Sequence, residues 1–130
     1  MKLHVVDGRY AVARLGANDP IPPWPRGKFV SVTRTPDELS IVCDEDAVPA
    51  DVRAERGWRC LVAEGPIPFE MTGVAAAITT ALANDGISVF LVSTYDTDYV
   101  LVKEESFTRA CRVLAVSSRA LARDLGGRGR

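Results

Sequence analysis

Residues Ser93-Thr94-Tyr95-Asp96-Thr97-Asp98 place six polar or amphipathic side chains between two apolar runs, at 87–92 and 99–102. The carboxylates of Asp96 and Asp98 and the hydroxyl of Thr94 are acceptors that suit an ammonium group. Upstream, Glu70-Met71-Thr72-Gly73-Val74 leads into a helical spacing. A helix N-terminus offers free amides and a partial positive charge, which suit a carboxylate. Gly73 lets that carboxylate approach the backbone. Carboxylate at one pole and ammonium at the other describe an α-amino acid. Charge-assisted bonds contribute about 1.5–3 kcal/mol each. Two or three of them support micromolar binding, about 8 kcal/mol, after ordering costs. The same side chains can instead satisfy their own turn, which gives a self-bonded hairpin with no ligand. Asp96 and Asp98, two apart, would share one face of a strand. That spacing keeps a metal or an acid–base pair open as an enzymatic reading.

Little else in the chain suggests catalysis. The one histidine, His4, lies in an N-terminal strand-like stretch and suits surface or packing duty. Cys43, Cys60 and Cys111 are widely spaced on apolar stretches, form no CxxC, and read as free thiols filling cores. Phosphate-loop, GxSxG and HExxH patterns are absent. Asp44-Glu45-Asp46 reads as a solvated turn, with a divalent metal as the alternative. No cofactor and no metal site is expected.

The elements that must position these residues follow from periodicity. Residues 2–6 and 10–15 are apolar stretches split by Asp7-Gly8, a hairpin signal. Pro20, Pro22, Pro23 and Pro25 around Trp24 make a connection and not a helix. Strands are expected at 29–35 and 39–43, joined by the Pro36-Asp37-Glu38 turn. Pro49 and Gly57 frame a short helix at 48–56, and 58–63 is a further strand. Val74, Ala77, Ile78, Ala81 and Leu82 recur on one helical face, with Thr72 as cap and Gly86 as stop. Residues 87–92 read as a central strand buried on both faces, and 99–102 as another strand. Ser106 caps a helix expected to reach Leu125. Strand, helix, strand, strand, helix is the ferredoxin-like α+β plan without its last strand. The first half repeats that plan loosely.

The chain has 130 residues, 47% hydrophobic and 25% charged, enough for one domain or two small halves sharing a core. Lys+Arg is 16 against Asp+Glu 17, giving net charge -1. That balance argues against a nucleic-acid partner. No run approaches a membrane span or a signal-peptide core, so no membrane and a cytoplasmic location are expected.

The runs at 64–74, 82–90 and 93–102, with Ser31-Val32-Thr33, 38–43 and Gly57-Trp58-Arg59, resemble small bacterial ACT-domain proteins. These are similar to the regulatory ACT domains of aspartate kinase and to the CASTOR arginine sensors of animals. The resemblance covers about Phe29 to Leu114, and the Ser-Thr-Tyr-Asp-Thr-Asp-Tyr run carries most of it. It implies tandem ACT-like (ferredoxin-like βαββαβ) halves with antiparallel sheets packed side by side. It implies a small ligand, usually an amino acid, and no catalysis. It places ligand contacts at Met71, Thr72, Gly73, Val74, Thr94, Tyr95, Thr97 and Asp98, with Ser31 and Val32 contributing from the first half. The chain holds two such halves, where the animal sensors hold four ACT units, and it lacks a kinase domain.

The resulting expectation is an N-terminal ACT-like half at 1–62, a C-terminal ACT domain at 63–125 and a flexible tail at 126–130. The module is expected to be a non-catalytic amino-acid sensor acting through a homodimer or an unknown protein partner. The alternative is a ligand-free interaction or scaffold domain, in which Tyr95 or Met71 fills the gap between the loops.

Overall fold

The structure is a computed structural model, and it describes residues 2–65 and 73–116. The described chain forms strands β1 (Leu3–Leu15), β2 (Ser31–Arg34), β3 (Leu39–Asp44) and β4 (Ala54–Ala63). Helix α1 (Val74–Asn84), strands β5 (Phe90–Ser93) and β6 (Asp98–Lys103) and helix α2 (Phe107–Val113) follow. Short 3₁₀ turns at Glu45–Ala47 and Glu104–Ser106 come after β3 and β6.

Two compact units result. The first is Gly8–Trp58; the second joins the residues up to Asp7 to those from Arg59 onward. The expected division after residue 62 differs from this grouping, because β1 and β4 each give one end to each unit. Strand order is β2-β3-β1-β4 in the first unit and β1-β4-β6-β5 in the second. In the second unit β1 therefore takes the place of the strand missing from the ferredoxin-like plan.

The Asp7-Gly8 hairpin is not formed: β1 runs through it. Gly8 takes φ 112 inside β1, and Gly57 takes φ 80 inside β4. L side chains resist that conformation, so the glycine serves a strand irregularity where a turn was expected. The short helix at 48–56 is also absent. The Glu45 and Pro49 carbonyls accept the Val48 and Val52 amides three residues on (3.2 and 3.1 Å), which closes turns and not an α-helix, and the Arg56 guanidinium also donates to the carbonyls of Glu45, Val48 and Pro49 (3.1, 3.5 and 3.2 Å).

Both units repeat one design. β2–β3 and β5–β6 are antiparallel hairpins whose ladders match at one constant offset, Thr35 to Thr94, 59 positions: Ser31↔Val42 answers Phe90↔Leu101, and Arg34↔Leu39 answers Ser93↔Asp98. The two 3₁₀ turns keep the same offset. What differs is helix. The second unit connects β4 to β5 through α1. The first connects β1 to β2 through the proline segment, with Trp24 half-buried against Leu39, Ile41 and their neighbours.

Helix α1 buries Ile78 and Leu82 against Leu61, Val100, Val102 and Phe107, while Ala77 of the expected stripe is exposed. It ends in a Schellman arrangement. The Ile87 amide donates to the Leu82 carbonyl (2.9 Å), and that of Gly86 (φ 70) to Ala83 (3.0 Å). Residues 87–89 thus belong to the helix exit. The strand is only Phe90–Ser93, half-buried at the end of its unit's strand order, and not the doubly buried central strand expected.

Ser106 holds the N-cap position of α2 without a side-chain capping bond. The same Schellman pattern closes α2, from Val116 to Cys111 (2.8 Å) and Ala115 to Arg112 (3.2 Å). Here Ala115 takes the left-handed position, φ 56. The helix stops there, short of Leu125; the continuation and the tail at 126–130 lie outside the described residues. Left-handed backbone costs an L residue about 1 kcal/mol. Ala115→Gly is accordingly expected to raise the urea midpoint, by about 0.5–1 kcal/mol of stability, with an unchanged m-value. An unchanged or lowered midpoint would contradict the cap assignment.

Candidate functional site

The polar run closes the β5–β6 hairpin in the second unit. The Thr94 amide donates to the Thr97 carbonyl (2.8 Å), and the Thr94 hydroxyl donates to the same oxygen (3.1 Å). The Thr97 amide donates back to the Thr94 hydroxyl (3.3 Å). Thr35 makes the same three contacts with Glu38 in the first unit (2.9, 3.4 and 3.2 Å). This much is turn scaffold, common to both copies.

Two features belong to the second unit alone. Asp98, half-buried at the start of β6, accepts the Ser93 hydroxyl at 2.5 Å. Its counterpart is Leu39, fully buried in the first unit's core. The Thr97 hydroxyl donates to the carbonyl of Ala63, the last residue of β4, at 2.7 Å. The chain from Ala63 leads towards α1, so the turn is fastened to the root of the segment that feeds the helix.

Gly73 is the N-cap of α1. Its φ is 87, nothing among the described residues lies within 4 Å of where a Cβ would stand, and its carbonyl accepts the Ala77 amide (2.8 Å). No acidic side chain occupies the first turn to offset the positive helix end. Val74, next to it, is half-buried against the core. Tyr95 is 79% exposed at the hairpin tip, and Asp96 beside it is exposed. Met71 and Thr72 lie outside the described residues. Ser31 and Val32 belong to the first unit, on β2, facing Val42 and Ile41 of β3, with Val32 exposed.

Glu64, which follows Ala63, adds a second tie. Its amide donates to the Lys2 carbonyl (2.7 Å), and its carboxylate meets His4 Nε2 at 3.0 Å. The hydrogen bond from His4 holds the Glu64 carboxyl below its usual range, and Lys2 adds to this. A carboxyl held low in the folded state stabilises the fold above its ordinary range, and that contribution fades as pH falls through it. Ser93, Ala63 and the Glu64–His4 pair were absent from the residues expected at the site. Aligning the two Thr-headed turns within the sequence would have exposed Ser93, aligned with Arg34.

Nucleophilic chemistry finds no support in the cysteines. Burial pushes the Cys60 thiol up to about 12 and the Cys111 thiol to about 11, the latter against the pull of Arg59. Among the described residues no group of His, Cys, Asp and Glu is placed to hold a metal ion. A cleft of about 730 Å³ in the first unit is lined by Glu45, Asp46, Val48, Ala50, Arg56 and Gly57. Two of its charged side chains bond the backbone: Arg56 donates to three carbonyls and Glu45 accepts the Gly57 amide (2.9 Å). Among the described residues no helix is long and apolar enough to cross a membrane.

Comparison with known proteins fits this geometry. A family model described as an ACT domain matches residues 53–116, and one described as an N-terminal domain matches 8–51. The human cytosolic arginine sensor for mTORC1 subunit 1 is 29% identical over 150 residues, covering 98% of this chain and 45% of the relative. The chain thus spans about half the length of the curated relatives it matches. A structural-genomics protein from Agrobacterium tumefaciens superposes with TM-score 0.82 at 44% identity, over 88% of this chain and 86% of that one. The ligand-free regulatory subunit of aspartate kinase from Thermus thermophilus shares the fold, with TM-score 0.58 at 12% identity over 88% and 96% of the two chains. With its βαββα order completed by β1, the chain carries an ACT domain, matched over residues 53–116.

Proposed function

We propose that the chain is a non-catalytic regulatory module of the cytosol. It binds an amino acid and signals by a change of affinity for a second copy of itself or for a protein partner. One observation carries this reading. A glycine-started helix N-terminus, with no described residue crowding its glycine, lies in the same unit as an acceptor-rich turn, and the turn is fastened to the strand that precedes that helix. The helix end takes the carboxylate, and Asp98 takes the ammonium. Val74, Thr94 and, at the exposed rim, Tyr95 complete the described surroundings, with Thr97 behind Asp98. Met71 and Thr72 belong to the same proposal, as do Ser31 and Val32. The arginine-sensor name of the human relative supports an amino acid as the ligand class. Signalling requires the ligand to prefer one of two states of the assembly.

The self-bonded turn supports a second reading, a ligand-free interaction module, since Ser93, Thr94 and Thr97 already use their hydroxyls internally. Tyr95 does not serve that reading as a plug, because its ring is exposed. A thermal-shift screen against the twenty amino acids separates the two. A ligand at about 100 times its dissociation constant adds about 2.7 kcal/mol. That is a midpoint rise of roughly 5–15 °C for a domain of this size. No shift with any of them favours the interaction module.

A further inference from the structure

We propose that Thr97 is a positioning residue, and that its hydroxyl fixes the acceptor turn against the approach to α1. This rests on the amino-acid reading above. The internal repeat supplies the comparison. Both turns carry the same Thr-headed hydrogen bonds and the same strand register, so those features are needed for a turn and nothing more. At the position of Thr97 the first unit has Glu38, which makes no corresponding bond to a strand end. That turn is tied instead by a long exposed side chain, Arg14, donating to the Asp37 carbonyl at 3.0 Å. The second unit replaces this tether with a short, half-buried hydroxyl bond of 2.7 Å to Ala63. A short β-branched side chain has little freedom to lose, so it holds position more tightly than an arginine.

Its partner also matters. Ala63 is fully enclosed and ends β4, and Glu64, the next residue, is bonded to Lys2. The acceptor turn is thereby referred to two neighbouring strands at the point where the chain leaves for α1. Because the hydroxyl is committed to Ala63, Thr97 acts through Asp98, its sequence neighbour, and not by touching the ligand. Carboxylate and ammonium poles must keep a fixed separation to grip one small molecule, and small displacements of a binding group are costly.

The test uses the full chain with Thr97→Val, which keeps shape and removes the donor, and Thr97→Ser, which restores it. Calorimetric titration with the amino acid found by the thermal screen should show affinity falling about tenfold in Thr97→Val and within about twofold of the parent in Thr97→Ser. Equal affinity in Thr97→Val and the parent overturns the proposal. Hydrogen exchange gives a reading that needs no ligand. Thr97→Val should speed exchange at Glu64 and Gly65 as well as within the turn, and Thr97→Ser should not. Faster exchange confined to residues 94–97 also overturns it. If the parent binds no amino acid, the sensor reading fails, while the exchange result still decides whether the hydroxyl holds the two segments together.

Discussion

Starting the chain at Gly8 is expected to abolish cooperative unfolding of the second unit. Residues up to Asp7 supply its outer strand beside β4, although they stand half a chain away from the rest of it. Leu3 is buried in the cluster of Leu61, Ile78 and Val100, and Val5 packs against it. Losing one buried leucine costs about 2–5 kcal/mol. Each backbone bond adds about 1 kcal/mol, the Glu64–Lys2 bond among them. The sum is comparable with the whole net stability of a domain, about 5–15 kcal/mol. The exposed His4–Glu64 pair contributes little to that sum. Circular dichroism during a urea titration would show a broad, non-cooperative transition in the shortened chain. A sharp transition near the parent's midpoint would contradict the assignment of β1. The ACT model match at 53–116 therefore omits a strand that this chain needs.

Replacing Glu104 by alanine is expected to be the most damaging single substitution that leaves the chain length intact. Arg59 is fully buried, with Nη1 at 3.1 Å from Glu104 Oε2 and its guanidinium 3.8 Å above the Phe107 ring. Removing one member of a buried pair leaves a charge in low dielectric and costs about 3–5 kcal/mol. Glu104 keeps 37% of its side chain exposed, so water softens the loss towards about 3 kcal/mol. Arg59→Met in the same background should recover most of it, because the apolar chain still covers Phe107 and no charge remains. Urea denaturation of the two single variants and the double variant measures the coupling. Additive effects would mean that the pair is not the anchor between β4 and the turn into α2.

Local chemistry was legible in the sequence where it is local. The α1 stripe through Ile78 and Leu82, its Gly86 stop and the Ser-Thr-Tyr-Asp-Thr-Asp hairpin all rest on contacts within a few residues. The α+β class followed from them, and the resemblance to ACT domains rested on the same runs. The misreadings at Gly8 and at 48–56 have different causes. Gly8 looked like a turn because Asp-Gly between apolar runs favours one, but pairing with β3 and β4 extends the strand through it. Pro49 and Gly57 framed a helix where the chain instead forms turns whose carbonyls also accept the Arg56 guanidinium. Most of what remained hidden depends on long-range pairing: β1 completing the second unit, a buried Arg59, and the Thr97–Ala63 bond. Of the expected site, the turn and the helix start fall within one unit. Ser31 and Val32 came from a looser alignment and lie on β2 of the other.

The repeat also supplies the substitution that best isolates the site. Asp98 stands where the equivalent turn carries Leu39, so leucine is a residue this backbone already accepts. Calorimetric titration of the parent and of Asp98→Leu with the amino acid that shifts the thermal midpoint tests the central claim most directly. The sensor reading predicts one ligand per chain in the parent, at least a hundredfold loss of affinity in Asp98→Leu, and a cooperative unfolding transition retained in the variant. Undiminished binding by a folded Asp98→Leu chain would contradict it.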